Sequence, residues 1–300
     1  MPSHVDALTA PTLKHLREQW WDTEFSSFLQ ETLRPRSGNR ILDVGCGEGK
    51  AELSLGRLRI SQLSLFAIDR SEPRVALTAA EGRSHNYRLK LAAADVERLP
   101  FTAGAFDATF CVAVLQHVAD LARAVSELAR VTRAGGRVLV VEPDNAARYW
   151  HSASPLGMRA FAEATAFFAA LRAARGETAD PAVGPRVSAL FATCGIEPVS
   201  IQVFPVSVAH IGTLPASLWQ ARREAVSAAV NASADGQVRA LGRTYLETLA
   251  AYEQDAGRAG GSFVEIQNTM LVATVGHRTA ARAGEDLDEG VASALGARPA

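Results

Sequence analysis

Apolar positions along this chain follow two alternating rhythms. Short, mostly apolar runs recur at 40–44, 63–69, 89–93, 108–113 and 138–142. Runs of this length read as strands buried on both faces. Between them lie stretches with helical spacing. Over 120–132, Leu121, Val125, Leu128 and Val131 share one face. Strands alternating with helices of this size predict βαβ units and a parallel sheet covered on both sides.

The flanks read differently. Leu13, Leu16, Trp20, Trp21, Phe25 and Phe28 recur at three- and four-residue spacings, and Arg34-Pro35 and Ser37-Gly38-Asn39 stop that helix. Beyond Pro143 an alanine-rich helix is expected over 156–175, carrying Met158, Phe161, Phe167, Phe168 and Leu171. A loop with Pro181 and Pro185, a helix over about 185–194 and a strand over 196–203 follow. Residues 215–256 read as mostly helical, and 270–275 as a last strand. From 279 the chain has few large apolar residues, which predicts a disordered tail.

Composition narrows the class. Of 300 residues, 48% are apolar and 21% charged, enough for a packed core in two domains or one elaborated α/β domain. Lys and Arg total 31 and Asp and Glu 32, so the net charge of −1 carries no basic footprint for nucleic acid and no polybasic membrane anchor. No apolar run is long enough to span a bilayer, and the first residues lack the apolar core of a secretion signal. Cys46, Cys111 and Cys194 are far apart and form no CxxC pair. That spacing argues against a disulfide framework or a zinc site, so no metal is expected and a reducing cytoplasm is.

The most informative stretch is Ile41-Leu42-Asp43-Val44-Gly45-Cys46-Gly47-Glu48-Gly49-Lys50, a strand, a glycine turn and a helix start. Glycines at 45, 47 and 49 permit positive φ and close backbone approach to a ligand. Asp43 lies at the carboxyl end of the first strand, where open α/β sheets bind ligands. A phosphate-binding loop fails, because position 44 is Val and Ala51 follows Lys50. The dinucleotide fingerprint fits Gly45 and Gly47, but its third position is Lys50. Asp43 directly before the turn would also repel a pyrophosphate and suits a cationic ligand better.

The spacing resembles motif I of class I S-adenosylmethionine-dependent methyltransferases, written (D/E)-x-G-x-G-x-G. Downstream, Asp69 ends the second strand, Ala94-Asp95-Val96 follows the third, and Leu99-Pro100-Phe101 with Phe106-Asp107 leads into the fourth. The stretch 128–137 resembles the turn before strand five in the small-molecule branch, the type 11 and ubiquinone/menaquinone-biosynthesis-like enzymes. The resemblance covers residues 40–142. It implies a doubly wound, mostly parallel seven-stranded Rossmann-like sheet with a helical cap, the last strand antiparallel. In that layout 1–36 is an N-terminal helical lid and 37–144 the cofactor-binding core. Residues 145–262 supply strand six and an inserted substrate cap, 263–278 the last strand, and 279–300 the tail.

The resemblance also implies roles. Asp43, Gly45, Cys46, Gly47 and Gly49 would hold the methionyl part of S-adenosylmethionine, and Asp69 the ribose hydroxyls. Arg70, Asp95 and Val96 would face the adenine, and Val112, with Cys111 and Ala113, would pass beneath the cofactor. A substrate pocket is expected from Trp20, Trp21, His117, Tyr149, Phe161 and Phe168. Methyl transfer is an in-line displacement, and a base is needed only where the acceptor must lose a proton. His117 is the leading candidate for it, ahead of Glu142, Tyr149 and His151. Packing or capping roles remain open for His117 and the aromatic residues. Two rivals also remain open: a nicotinamide-dependent oxidoreductase on a related sheet, and a non-catalytic S-adenosylmethionine-binding protein.

Overall fold

The computed structural model describes residues 20–174 and 182–280. The sequence expectations for 1–19 and for the tail from 281 onward lie outside those residues. Among the described residues the elements run α1 (Thr23–Leu33), β1 (Arg40–Val44), α2 (Lys50–Gly56), β2 (Ser64–Asp69), α3 (Glu72–Ser84), β3 (Leu89–Ala93) and β4 (Phe106–Val112). Then come α4 (Leu121–Val131), β5 (Thr132–Ser152), α5 (Pro155–Ala174), α6 (Val183–Thr193), β6 (Ile196–Ile211), α7 (Ala216–Ala232), α8 (Gly236–Ala259) and β7 (Val264–Arg278).

The strands form one seven-stranded sheet in the order β3-β2-β1-β4-β5-β7-β6. β3, β2, β1, β4 and β5 pair in parallel, with Asp43 opposite Ala67 on one side and Phe110 on the other. β7 runs against β6: Gly212 N donates to Phe263 O at one end of the pair, and Thr279 N to Gly195 O at the other. This is the mixed, doubly wound sheet with an antiparallel last strand that the sequence implied. Such a sheet places the carboxyl ends of β1, β2 and β4 side by side, which is where ligands bind in open α/β folds.

The chain divides into two compact units. Among the described residues, one comprises 23–146, 182–204 and 271–280. Its core joins Leu42, Val44 and Ile68 of the sheet to Val125, Leu128 and Val131 of α4, the face read from the sequence. Asp120 caps α4 by accepting from Arg123 N at 2.9 Å. α6 belongs to this unit: Val183, Val187, Leu190 and Phe191 are in the same cluster. So does α1, whose Phe25 and Phe28 pack on Phe204 with ring centroids 5.4 and 4.9 Å apart. The burial of their apolar faces packs both helices within this unit.

The second unit comprises, among the described residues, 20–22, 147–174 and 205–270. α5, α7 and α8 pack around Phe167, Trp219, Val226, Tyr245, Leu249 and Tyr252. Asp235 opens α8 by accepting from Gln237 N and Val238 N at 2.7 and 3.0 Å. A polar cluster lies inside this apolar body. Glu265, fully buried, receives Arg222 Nη1 at 3.1 Å and Nη2 at 2.5 Å, Tyr252 OH at 2.8 Å and Gln267 Nε2 at 2.8 Å. The Arg222 guanidinium also stacks over Trp150 and Trp219, 5.3 and 5.0 Å from their ring centroids.

Candidate active site

The site grows out of the turn after β1. Gly45, Gly47 and Gly49 have φ of 87°, 56° and 83°, the left-handed region that side chains disfavour. Gly45 N and Cys46 N both donate to Ile68 O, at 2.7 and 2.9 Å, which ties the turn to β2. A Cβ on Gly45 would sit 2.3 Å from Val114 Cγ2, so close approach as well as φ requires glycine there. At Gly47 the nearest atom to an added Cβ is Gly45 O at 4.0 Å. The turn is therefore packed on one side and open on the other.

Two side chains fix the open part. Asp69 ends β2 and is buried; its Oδ2 accepts from Gly47 N at 3.1 Å and its Oδ1 from Ser71 N at 2.9 Å. Thr78 of α3, fully buried, donates to Gly47 O at 3.0 Å and lies 3.4 Å from Cys46 Sγ. Burial, with the negative charge of Asp43 and Glu52, pushes the Cys46 thiol upward and keeps it neutral.

Asp43 is 5% exposed, and Glu52, in the first turn of α2, is 3% exposed. Burial and then the charge of Glu52 hold the Asp43 carboxyl well above the usual carboxylate range. Burial likewise lifts Glu52 to about 7, with interactions with Asp43 and its own backbone pulling partly the other way.

The segment after β4 forms the neighbouring wall. Ala113 adopts φ +57°, a strained conformation for a residue with a Cβ. Val114 N, Leu115 N and Gln116 N then point together at Glu142, donating to its carboxylate at 2.7, 2.7 and 3.3 Å. Glu142 is fully buried at the end of the apolar part of β5. It caps the 3-10 turn Leu115–His117, and this engagement argues against the role of base. Asn145 Nδ2 adds a bond to Gln116 Oε1 at 3.2 Å. His117 is half-buried on this turn with its Nε2 enclosed, and its carbonyl accepts from Arg70 Nη1 at 3.5 Å.

The residues expected around the cofactor thus divide. Asp43, Gly45, Cys46, Gly47, Gly49 and Asp69 come together in one turn. Val96 and Cys111 pack into the hydrophobic core, and Val112 is half-buried. Asp95 is exposed, its Oδ1 accepting from Glu97 N at 2.9 Å. Trp20, Trp21, Tyr149, Phe161 and Phe168 belong to the helical unit. There Phe161 packs on Trp150 with centroids 5.4 Å apart, Phe168 packs on Phe167 at 5.0 Å, and Tyr149 is 55% exposed. Sequence reasoning missed Glu52, Thr78 and the capping role of Glu142. Glu52 carried a signal, an acid between the inward-facing Ala51 and Leu55. Thr78 carried none.

Residues 42–140 match the family described as a methyltransferase domain. The match takes in β1 to most of the apolar part of β5, about a third of the chain. An O-methyltransferase of Pyrenophora dematioidea is 31% identical over 127 residues, 40% of this chain and 48% of that protein. The ubiquinone/menaquinone biosynthesis C-methyltransferase of Geotalea uraniireducens is 28% identical over 123 residues, 40% and 52% of the two chains. The chain spans between 34% and 60% of the length of the curated relatives it matches. A solved structure from Bacillus halodurans, provisionally named a methyltransferase, superposes with a TM-score of 0.57 at 13% identity, covering 86% of this chain and 100% of that one. The (4+2)-cyclase SpnF does so with a TM-score of 0.50 at 19% identity, covering 86% and 81%. Likeness at that identity shows the shared fold alone. No helix among the described residues is long and apolar enough to cross a membrane.

Proposed function

We propose that this chain transfers a methyl group from S-adenosylmethionine to a small organic acceptor at oxygen, nitrogen or carbon. One observation carries the reading. A glycine turn open on one side lies between buried acids at the ends of β1 and β2, inside the segment that matches a methyltransferase domain. The residues suit the cofactor. The space beside Gly47 admits a ligand against bare backbone, and the acids offer partners for an ammonium and for ribose hydroxyls.

S-adenosylmethionine supplies an activated methyl group on a cationic sulfur. The chain supplies placement. Gly45 to Gly49 bring backbone to the methionyl part, Asp43 faces the ammonium, and Asp69 takes the ribose. Arg70, Asp95 and Val96 line the adenine side, and the end of β4 at Val112 lies beneath. Fixing the line of attack and excluding water contribute about 7–11 kcal/mol in well-oriented systems. Glu142 holds the turn that carries His117, and His117 takes the acceptor proton where one must leave. Near-zero net charge suits a small acceptor rather than nucleic acid, and cysteines without a CxxC pair suit the cytoplasm.

Calorimetry with S-adenosylhomocysteine and with NADH separates this reading from a nicotinamide enzyme: the first binds and the second does not. Transfer of labelled methyl to a panel of phenols, amines and carbon acids then tests turnover. His117→Ala is expected to cut turnover on acceptors that lose a proton while leaving cofactor affinity intact. Binding of NADH alone overturns the proposal, and binding of S-adenosylhomocysteine with no turnover on any acceptor favours a non-catalytic binding protein.

A further inference from the structure

We infer that Asp43 and Glu52 act as one proton-sharing pair that recognises the ammonium of the methyl donor and releases a proton when it binds. The inference rests on the cofactor reading above and adds Glu52 to the site, together with a linkage between binding and protonation.

The geometry sets the problem. Glu52 projects from the first turn of α2 into a space where both of its carboxylate oxygens are enclosed without a donor from any other side chain, and the side chain they interact with is a second acid, Asp43. Asp43 lies beside it, also buried, and no ion pair reaches either carboxyl among the described residues. Two buried carboxylates without a cation cannot both stay ionised at moderate cost. The surroundings offer no relief. Asp69 adds negative charge towards Asp43, and the neighbouring Cys46 thiol is neutral. Lys50, the nearest cation in sequence, is exposed. Burial lifts both acids, Glu52 to about 7 and Asp43 further from its usual range, so near neutrality the pair retains at least one proton.

The open side of the turn at Gly47 supplies the missing element. An ammonium brings one positive charge and three N–H donors, which two ionised carboxyls can accept. Its arrival favours the fully ionised pair. The O–H bond of the shared proton breaks, the electron pair stays on the carboxylate oxygen, and the proton passes to the buffer. The ammonium keeps its own protons, so charge balances. Protons and ligand then compete, and affinity should fall by up to about tenfold per pH unit as pH drops below 7.

The experiment is calorimetry with S-adenosylhomocysteine, which carries the amine but no sulfonium, at pH 6.5–7.5 in phosphate and in Tris. The expected result is an enthalpy that differs between the buffers, equivalent to release of about one proton. 5′-Methylthioadenosine, which lacks the amine, should bind with no buffer dependence. Glu52→Gln should bind S-adenosylhomocysteine with less proton release and a flatter pH profile. On the unmutated protein, infrared difference spectra should show loss of a protonated-carboxyl stretch on binding, so the outcome stands even if the variant does not fold. Equal enthalpies in both buffers, or equal proton release with methylthioadenosine, overturn the inference while leaving the cofactor reading intact. Absence of binding by either ligand overturns both.

Discussion

The two units bury carboxyls in opposite ways. In the helical unit Glu265 is surrounded by Arg222, Tyr252 and Gln267, and every partner donates. Burial alone would raise its pKa, but the Arg222 bonds and charge outweigh burial and hold it below the usual value. In the sheet unit Asp43 and Glu52 are as deeply buried and have no cation, so burial wins and both rise. In the first arrangement the carboxylate has its cation and its donors, although Arg222 Nε is left without a hydrogen-bond partner. The second is incomplete, and it is the one beside the open glycine turn. An uncompensated buried charge marks function better than burial does.

The sharpest way to break this comparison is to make Glu265 resemble Glu52. Arg222→Met leaves Glu265 buried without its cation and should cost about 3–5 kcal/mol in urea unfolding. A loss below about 1 kcal/mol would mean the pair is dispensable and the contrast empty. Next comes the open turn. Gly47→Val should weaken S-adenosylhomocysteine binding by at least about a hundredfold, roughly 2.7 kcal/mol, in calorimetry. Near-normal affinity would move the ligand away from this turn.

The pH dependence of stability separates the units further. Glu52 is raised in the folded state, so its contribution is complete below pH 4.5 and is lost as pH rises through about 7. That loss is on the order of 2–3 kcal/mol, and Glu52→Gln should remove it. Glu265 is lowered, so its contribution is present above the unfolded value near 4.5 and disappears on acidification through its lower folded value. Unfolding measured across pH 3–8 should show both limbs; a flat alkaline limb in the unmutated protein would refute the uncompensated pair. The smallest effect is expected at Glu142. Glu142→Gln exchanges a charged acceptor for a neutral one at three N–H groups and should cost about 1.5 kcal/mol. Its turnover should fall more than its cofactor affinity, and unchanged turnover would detach this cap from catalysis.

The strands were readable as short, mostly apolar segments between helical stretches. Residues 40–44 and 89–93 were delimited correctly, although only the first is a buried strand: β3 lies at the edge of the sheet and none of its residues is buried. β5, β6 and β7 proved longer than the runs at 138–142, 196–203 and 270–275. In β7 the extension reverses the usual pattern, since Glu265, Gln267 and Thr269 face inward while the residues between them are half-buried. A rule that turns apolar residues inward cannot find such a strand. The helical stretch at 215–256 is two helices separated by Asp235, whose capping side chain was a usable local signal. The glycine turn and both flanking acids were legible. The bonds that hold the turn were not: Thr78 reaches Gly47 across 31 positions and Glu142 reaches Val114 across 28.

The amino-acid sequence by itself determined the order of strands and helices, the backbone freedom at 45, 47 and 49, and the acids at 43 and 69. Those follow from local rules of spacing, φ and strand ends. Only the tertiary structure decided which buried acid meets a cation. Arg222 meets Glu265 across 43 positions, whereas Asp43 and Glu52 meet only each other. Protonation depends on the dielectric and on charges within a few ångströms, and those distances exist only once the chain has folded.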